Sequence, residues 1–292
     1  MTAVIIVPDD LDHESFESVL DQLAACPPDA PVLVDARHTT FATPYALLSL
    51  LCLAQSRTAR PGFVIPEREG TASYWARAGF FRIAEELYSL HGNPPALRPR
   101  GESDVWLPIT PINRSEDVHA VVEKIQDRAE AILENELRTD PRMIGRFAMT
   151  LSEACQNILE HAGRGGWVAV QSYTWPKLGR RVVQIAVCDS GIGFTASLAP
   201  AHARRLGDRW CDGQALEEAI VRGVSRFADP GRGQGFAGIK RFLGQWGGKL
   251  IVRSGTARLT LVPQWDDDVP LREGLSSFPG AQVLIIIPGR EA

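Results

Sequence analysis

The sequence has no Cys-x-x-Cys pair. Its five cysteines (Cys26, Cys52, Cys155, Cys188 and Cys211) are scattered, odd in number and set in apolar surroundings. That pattern argues against a disulfide framework and reads as free thiols of a reducing, cytoplasmic compartment. The six histidines do not cluster with the cysteines, which disfavours a zinc site. A bilayer-spanning helix needs about 20 apolar residues in a row; the longest apolar stretches, 46–54 and 283–288, fall far short. No basic segment leading into a long apolar run opens the chain, so no signal peptide is expected. Positive charge is not in excess either. Against 35 acidic residues stand 31 basic ones, a net charge of −4, with no global pull towards nucleic acid or an anionic membrane. Neither is expected as a partner. Internal repeats and low-complexity tracts are also missing.

What remains is an ordinary globular composition, 45% hydrophobic and 23% charged, in a chain of 292 residues, long enough for two domains. Short buried-strand signals at 4–7, 31–35 and 61–65 alternate with helical spacing at 13–25, 45–55 and 71–79. Thr43 is placed to cap the middle helix, with Pro44 at its first position. This alternation predicts a small α/β unit over residues 1–91. Residues 92–104 open on a stretch rich in Pro and Gly and read as a linker. Residues 105–292 form the second unit. A strand at 105–109 is followed by helices at 115–137 and 141–163 and a strand pair at 167–175 and 181–188. Residues 199–229 are long and polar, with a helix near 215–222. A helix at 236–246 and strands at 248–253, 257–262 and 282–287 complete the unit. Helices on one face of a mixed, mainly antiparallel sheet give an α+β sandwich.

Three stretches carry chemistry. The helix containing Leu151-Ser-Glu-Ala-Cys-Gln-Asn-Ile-Leu-Glu-His-Ala162 puts Glu153, Asn157 and His161 at i, i+4 and i+8, one stripe at about 100° per residue. Asn and His are weak helix formers, so propensity does not account for them. Val187-Cys-Asp-Ser-Gly-Ile-Gly-Phe194 ends an apolar run on Asp189, costly there without a fixed partner, with Gly191 and Gly193 opening the backbone to close approach. In Pro230-Gly-Arg-Gly-Gln-Gly-Phe236, glycines 231, 233 and 235 lead into a helix whose N–H groups can converge on phosphate oxygens, with Arg232 adding charge. The spacing is not that of a dinucleotide-binding Gly-x-Gly-x-x-Gly, and a Gly-Lys-Ser/Thr phosphate loop is absent.

Glu-x-x-x-Asn, Asp-x-Gly-x-Gly and Gly-x-Gly-x-Gly in this order resemble the nucleotide site of the GHKL family (gyrase, Hsp90, histidine kinases, MutL) over roughly residues 112–290. The resemblance implies ATP and Mg²⁺ as cofactors. Asn157 would hold the metal, and Asp189 would accept a hydrogen bond from the adenine amino group. Gly191 and Gly193 would shape the base pocket, and Gly231, Arg232, Gly233, Gly235 and Phe236 would lie along the bound nucleotide. Glu153 would be the catalytic base, His161 would order the site, and 195–230 would be the ATP lid. His161 matches the Asn-x-x-x-His-Ala of anti-sigma-factor serine kinases. Separately, 32–46 resembles the strand, loop and helix start of a STAS domain. That family's phosphate-accepting serine is absent from the matching positions, Thr43 to Ala46, which puts a phospho-switch in doubt. The expected function is transfer of the ATP γ-phosphate to water or to a partner's Ser/Thr. The alternative is a nucleotide-gated interaction module with little turnover. A regulatory or substrate protein is the expected partner, and a homodimer stays open.

Overall fold

The strand and helix signals of the first ninety residues resolve into a parallel sheet with its helices in sequence. β1 (Ala3–Ile6), β2 (Asp10–Leu11) and α1 (Phe16–Ala24) lead to β3 (Val32–Asp35), β4 (Phe41–Ala42) and α2 (Pro44–Ser56). After them come β5 (Gly62–Val64), α3 (Glu69–Arg77), α4 (Phe80–Leu87) and β6 (Ser89–His91). The sheet order is β1-β3-β5-β6, parallel throughout, with β2 and β4 paired beside it. The computed structural model describes residues 2–27, 29–96, 105–131, 144–175, 178–224 and 235–289. Residues 97–104 of the expected linker lie outside the described residues.

Thr43 caps α2 as its type and position predict: its side chain accepts from the Ala46 N–H at 3.3 Å, and Pro44 occupies the first turn. Four elements of this unit, β2, β4, α4 and β6, go beyond the sequence reading. Gly79, in the left-handed conformation, ends α3 as expected, but the chain re-enters a helix at once. Phe80, Phe81, Ile83 and Ala84 bury one side of it.

The second unit runs β7 (Val105–Ile112), α5 (Ser115–Ala131) and α6 (Ile144–Asn157), which continues as a π turn over Ile158–Ala162. Then follow β8 (Gly166–Trp175), β9 (Arg180–Asp189), α7 (Gly193–Leu206) and α8 (Asp212–Leu216), with a second π turn at Glu217–Val221. α9 (Gly235–Trp246), β10 (Lys249–Gly255), β11 (Ala257–Leu261), β12 (Leu271–Arg272) and β13 (Phe278–Pro288) close it. Residues 132–137 of the first expected helix and 141–143 of the next lie outside the described residues. The seven strands are ordered β12-β11-β10-β13-β9-β8-β7, and every described pairing is antiparallel. The fold is α+β, with a sandwich of helices on a mainly antiparallel sheet.

One face of this sheet carries the unit's own helices. Val183, Ile185 and Val187 of β9 and Val283, Ile285 and Ile287 of β13 pack with Val121 of α5, Leu151 and Ala154 of α6, and Ile239 and Leu243 of α9. On the opposite face Val182, Ala186 and Cys188 of β9 and Leu284 and Ile286 of β13 share a core with α2. That explains two sequence features at once. α2 is apolar all round because it lies between two sheets, with every residue from Pro44 to Ala54 buried. β13 reads as an unbroken apolar run because both its faces are covered.

Charge is also buried across this contact. Arg253 of β10, fully buried, pairs with Glu17 of α1 through two bonds of 2.9 and 3.1 Å and donates to the carbonyls of Gly255 and Ser276. A guanidinium out of water is tolerable only with its donors satisfied in this way. Ile109 of β7 donates its N–H to Ala78 at 2.8 Å, a further tie between the units.

Candidate functional site

α6 is held by Leu151, Ala154, Cys155 and Ile158, all buried in the core. This leaves Glu153 and Asn157, one turn apart, half-buried along the flank of that packed face. Among the described residues, the buried Asn157 Nδ2 has no hydrogen-bond partner. Directly after Asn157 the helix widens into the π turn, whose i→i+5 spacing breaks the α-helical register. The His161 side chain lies outside the described residues. Gly163, at φ 68°, ends the turn as expected.

Asp189 is the last residue of β9 and only 5% exposed. Its Oδ1 accepts the Gly191 N–H at 2.8 Å, and its carboxyl also accepts the Ala281 N–H. Burial outweighs these bonds and pushes the carboxyl up to about 6. The two glycines of this turn have different reasons. A Cβ on Gly191 would sit 2.0 Å from the Ala162 carbonyl oxygen, so the turn rests directly on the end of the π turn. Gly193 has φ 71°, and a Cβ there would lie 2.7 Å from the Ser254 Oγ. The Ile192 N–H donates to Ala162 O at 3.1 Å, while the Ile192 side chain stays exposed. The first two motifs thus meet backbone to backbone.

The end of the third motif joins them. Gly235 opens α9, and Phe236 is buried with its ring 5.7 Å from that of Phe194. Arg146 at the start of α6 donates to Gln245 at the end of α9 at 2.6 Å. The packed helices therefore run in opposite directions, and the N-terminus of α9 lies towards the Asn157 end of α6. A helix N-terminus carries a partial positive charge and N–H groups without an intrahelical partner. Gly231, Arg232 and Gly233 lie outside the described residues.

One expectation needs correction. Residues 195–224 are not a polar lid loop: they form α7, α8 and the second π turn, with Ser197, Leu198, Ala215, Leu216 and Ile220 buried. Asp212 ties them down by accepting from Thr195, from the Thr256 N–H at 2.7 Å and from the Thr256 hydroxyl at 2.8 Å. Pro200 and the mixed polarity of 199–229 had masked this packing. In the first unit, Thr43 and Tyr45, at the positions where a phosphate acceptor would stand, are buried. Burial also lifts the Tyr45 phenol well above its ordinary range.

Residues 144–269 match the family described as histidine kinase-, DNA gyrase B-, and HSP90-like ATPase. The matched segment supports the GHKL superfamily. It supports ATP binding, and the match spans all three motifs from the first residue of α6 to beyond β11. No curated protein matches the chain. β13 lies beyond the matched segment, yet it sits at the centre of the sheet and, besides the Ala281 N–H, supplies two further supports of the Asp189 turn. Gln282 Nε2 donates to Asp189 O at 3.0 Å, and Ser254 Oγ, which accepts the Phe194 N–H, donates to Gly280 O at 2.7 Å. Sequence reasoning missed Ser254 and Gln282, because a polar residue in a strand gives no sign of which distant turn it bonds.

Among the described residues, no helix is long and apolar enough to cross a membrane.

Proposed function

We propose that the protein is a cytoplasmic regulator that binds ATP with Mg²⁺ where α6, the end of β9 and the N-terminus of α9 meet. It transfers the γ-phosphate to water or to a partner protein's serine or threonine, in the manner of the anti-sigma-factor serine kinases. The observation that carries this reading is Asn157, whose buried amide nitrogen has no partner among the described residues. Buried polar groups are nearly always bonded, so an amide left this way is suited to a ligand. Amide oxygen and nitrogen are interchangeable in assignment, and the oxygen suits a hard cation that keeps most of its waters. Asn157 would hold Mg²⁺, which would supply positive charge to offset that of the phosphates.

Glu153 would accept the proton of the attacking water or hydroxyl. Asp189 would accept from the adenine amino group, Gly191 and Gly193 would admit the base, and Gly231, Arg232, Gly233, Gly235 and Phe236 would lie along the triphosphate. Residues 1–91 would be a STAS-like docking unit and 105–292 the nucleotide domain, with a homodimer left open. A second reading, an interaction module that holds ATP with little turnover, is favoured by the packed state of 195–224 and the burial of Thr43. Purified protein with γ-labelled ATP separates them: free labelled phosphate means an ATPase, labelled partner means a kinase. Tight binding without release selects the second reading, and no binding at all refutes both.

A further inference from the structure

We propose that Gln55 is a positioning residue of the adenine site, acting on the Asp189 turn from the opposite face of the sheet. The inference rests on the reading of Asp189 as the adenine partner. α2 crosses the rear face of the sheet, packs on β8, β9 and β13, and ends one residue after Gln55. Gln55 Oε1 accepts from Ser190 Oγ at 2.5 Å. Ser190 is 5% exposed and stands between Asp189 and Gly191, in the middle of the turn.

Alternation along the chain explains the reach. Cys188 faces the α2 core, Asp189 is the strand's last residue, and Ser190 points back towards α2. Cys52, one turn before Gln55 on α2, is buried in the same core as Cys188. The other supports of the turn come from its own unit: Gly191 on Ala162, Gln282 on the Asp189 carbonyl, and Ala281 on its carboxyl. The Gln55 bond comes from residue 55, 135 positions away, and ties the turn to the first unit. A hydroxyl bonded in a buried place has few alternative partners, so losing the amide oxygen frees the turn to shift by the fraction of an ångström that a directional bond to adenine does not tolerate.

The full chain is tested as wild type, Gln55→Met, Ser190→Ala and the double variant, each checked for folding by circular dichroism. ATP·Mg²⁺ affinity is measured by calorimetry, GTP by competition, and the ATP measurement is repeated between pH 5 and 7.5. Gln55→Met keeps the length and apolar stem while removing the acceptor. Each single variant is expected to bind ATP about five- to tenfold more weakly, the worth of one buried hydrogen bond. The double variant should be no weaker than either single one, because both remove the same bond. The preference for ATP over GTP should fall, and the pH at which ATP affinity drops should move, neither of which a mere loss of stability produces. Wild-type affinity in Ser190→Ala overturns the proposal even if Gln55→Met does not fold. So do additive losses, or equal weakening of ATP and GTP. Failure of the wild type itself to bind ATP would overturn the nucleotide reading and this proposal with it, and is told apart because no substitution is involved.

Discussion

Asp189 gives the sharpest quantitative expectation. Its carboxyl is lifted from 3.8 to about 6 because burial costs more than the Gly191 and Ala281 bonds return. That lift corresponds to about 3 kcal/mol by which the folded chain disfavours the ionised form. A carboxyl raised on folding binds its proton more tightly in the native state, so acidification from pH 7 through 6 towards 4 should add stability, and the gain should be complete below the unfolded value. At pH 7.5 Asp189→Asn removes the charge penalty but leaves one backbone donor facing an amide N–H₂, a loss of about 1–2 kcal/mol. The net result should be a ligand-free protein about 1–2 kcal/mol more stable than wild type at pH 7.5 and slightly less stable at pH 4.5, where wild type is protonated.

Urea denaturation at the two pH values, with m-values compared, reads this directly. Nucleotide should respond in the opposite sense. At pH 5 only about a tenth of a carboxyl titrating near 6 is ionised, so ATP affinity should fall about tenfold from its pH 7.5 value. In Asp189→Asn it should be weak and nearly flat with pH. If the variant's stability follows wild type in parallel from pH 7.5 to 4.5, the carboxylate is not buried as described and the reasoning fails.

Glu153→Gln should lower γ-phosphate release by a hundredfold or more while ATP affinity stays within about threefold, as general-base loss predicts; turnover within tenfold of wild type would exclude Glu153 as the base. Gly191→Ala has nowhere to put its methyl, 2.0 Å from the Ala162 carbonyl, and should cost about 1–3 kcal/mol in urea denaturation and abolish ATP binding. Arg253→Met strands Glu17 in the contact between the two units and should cost about 3–5 kcal/mol. Adding Glu17→Gln should recover part of that loss, and no recovery would show that the pair is not what the first substitution breaks.

Much of the site was legible because its chemistry is local. Asp189, Gly191 and Gly193 fall within five residues at a strand end, where an acid needs a partner and glycines open the backbone; the structure adds the close approach to Ala162 and the positive φ. Glu153 and Asn157 were legible as one helical turn, and the His161 side chain lies outside the described residues. Nothing in Ile158–Ala162 announces a π turn, which forms because the chain must bring Ala162 against Gly191. The same tertiary demand decides 195–224. Its polar residues suggest a loop until Asp212 is seen bonding Thr195 and Thr256.

The largest gap lies in how the two units meet, and here the sequence held the clue. Residues 283–287 offer five apolar side chains without alternation, which an antiparallel strand with one wet face would not carry. α2 is likewise apolar on every side, where a helix covering a single sheet should show a polar stripe. Each anomaly implies a missing apolar neighbour, and each is the other's neighbour. Burying both faces of β9 also sets the chemistry at its end. Asp189 is kept from water on one side by the helical layer and on the other by α2, and this double cover raises its carboxyl towards neutrality. Removing residues 1–104 would open the α2 side. The remaining fragment, 105–292, should show an Asp189 titration shifted towards that of an exposed aspartate and a weaker discrimination between adenine and guanine. Unchanged titration in a folded fragment would mean that the helical layer alone does the desolvating.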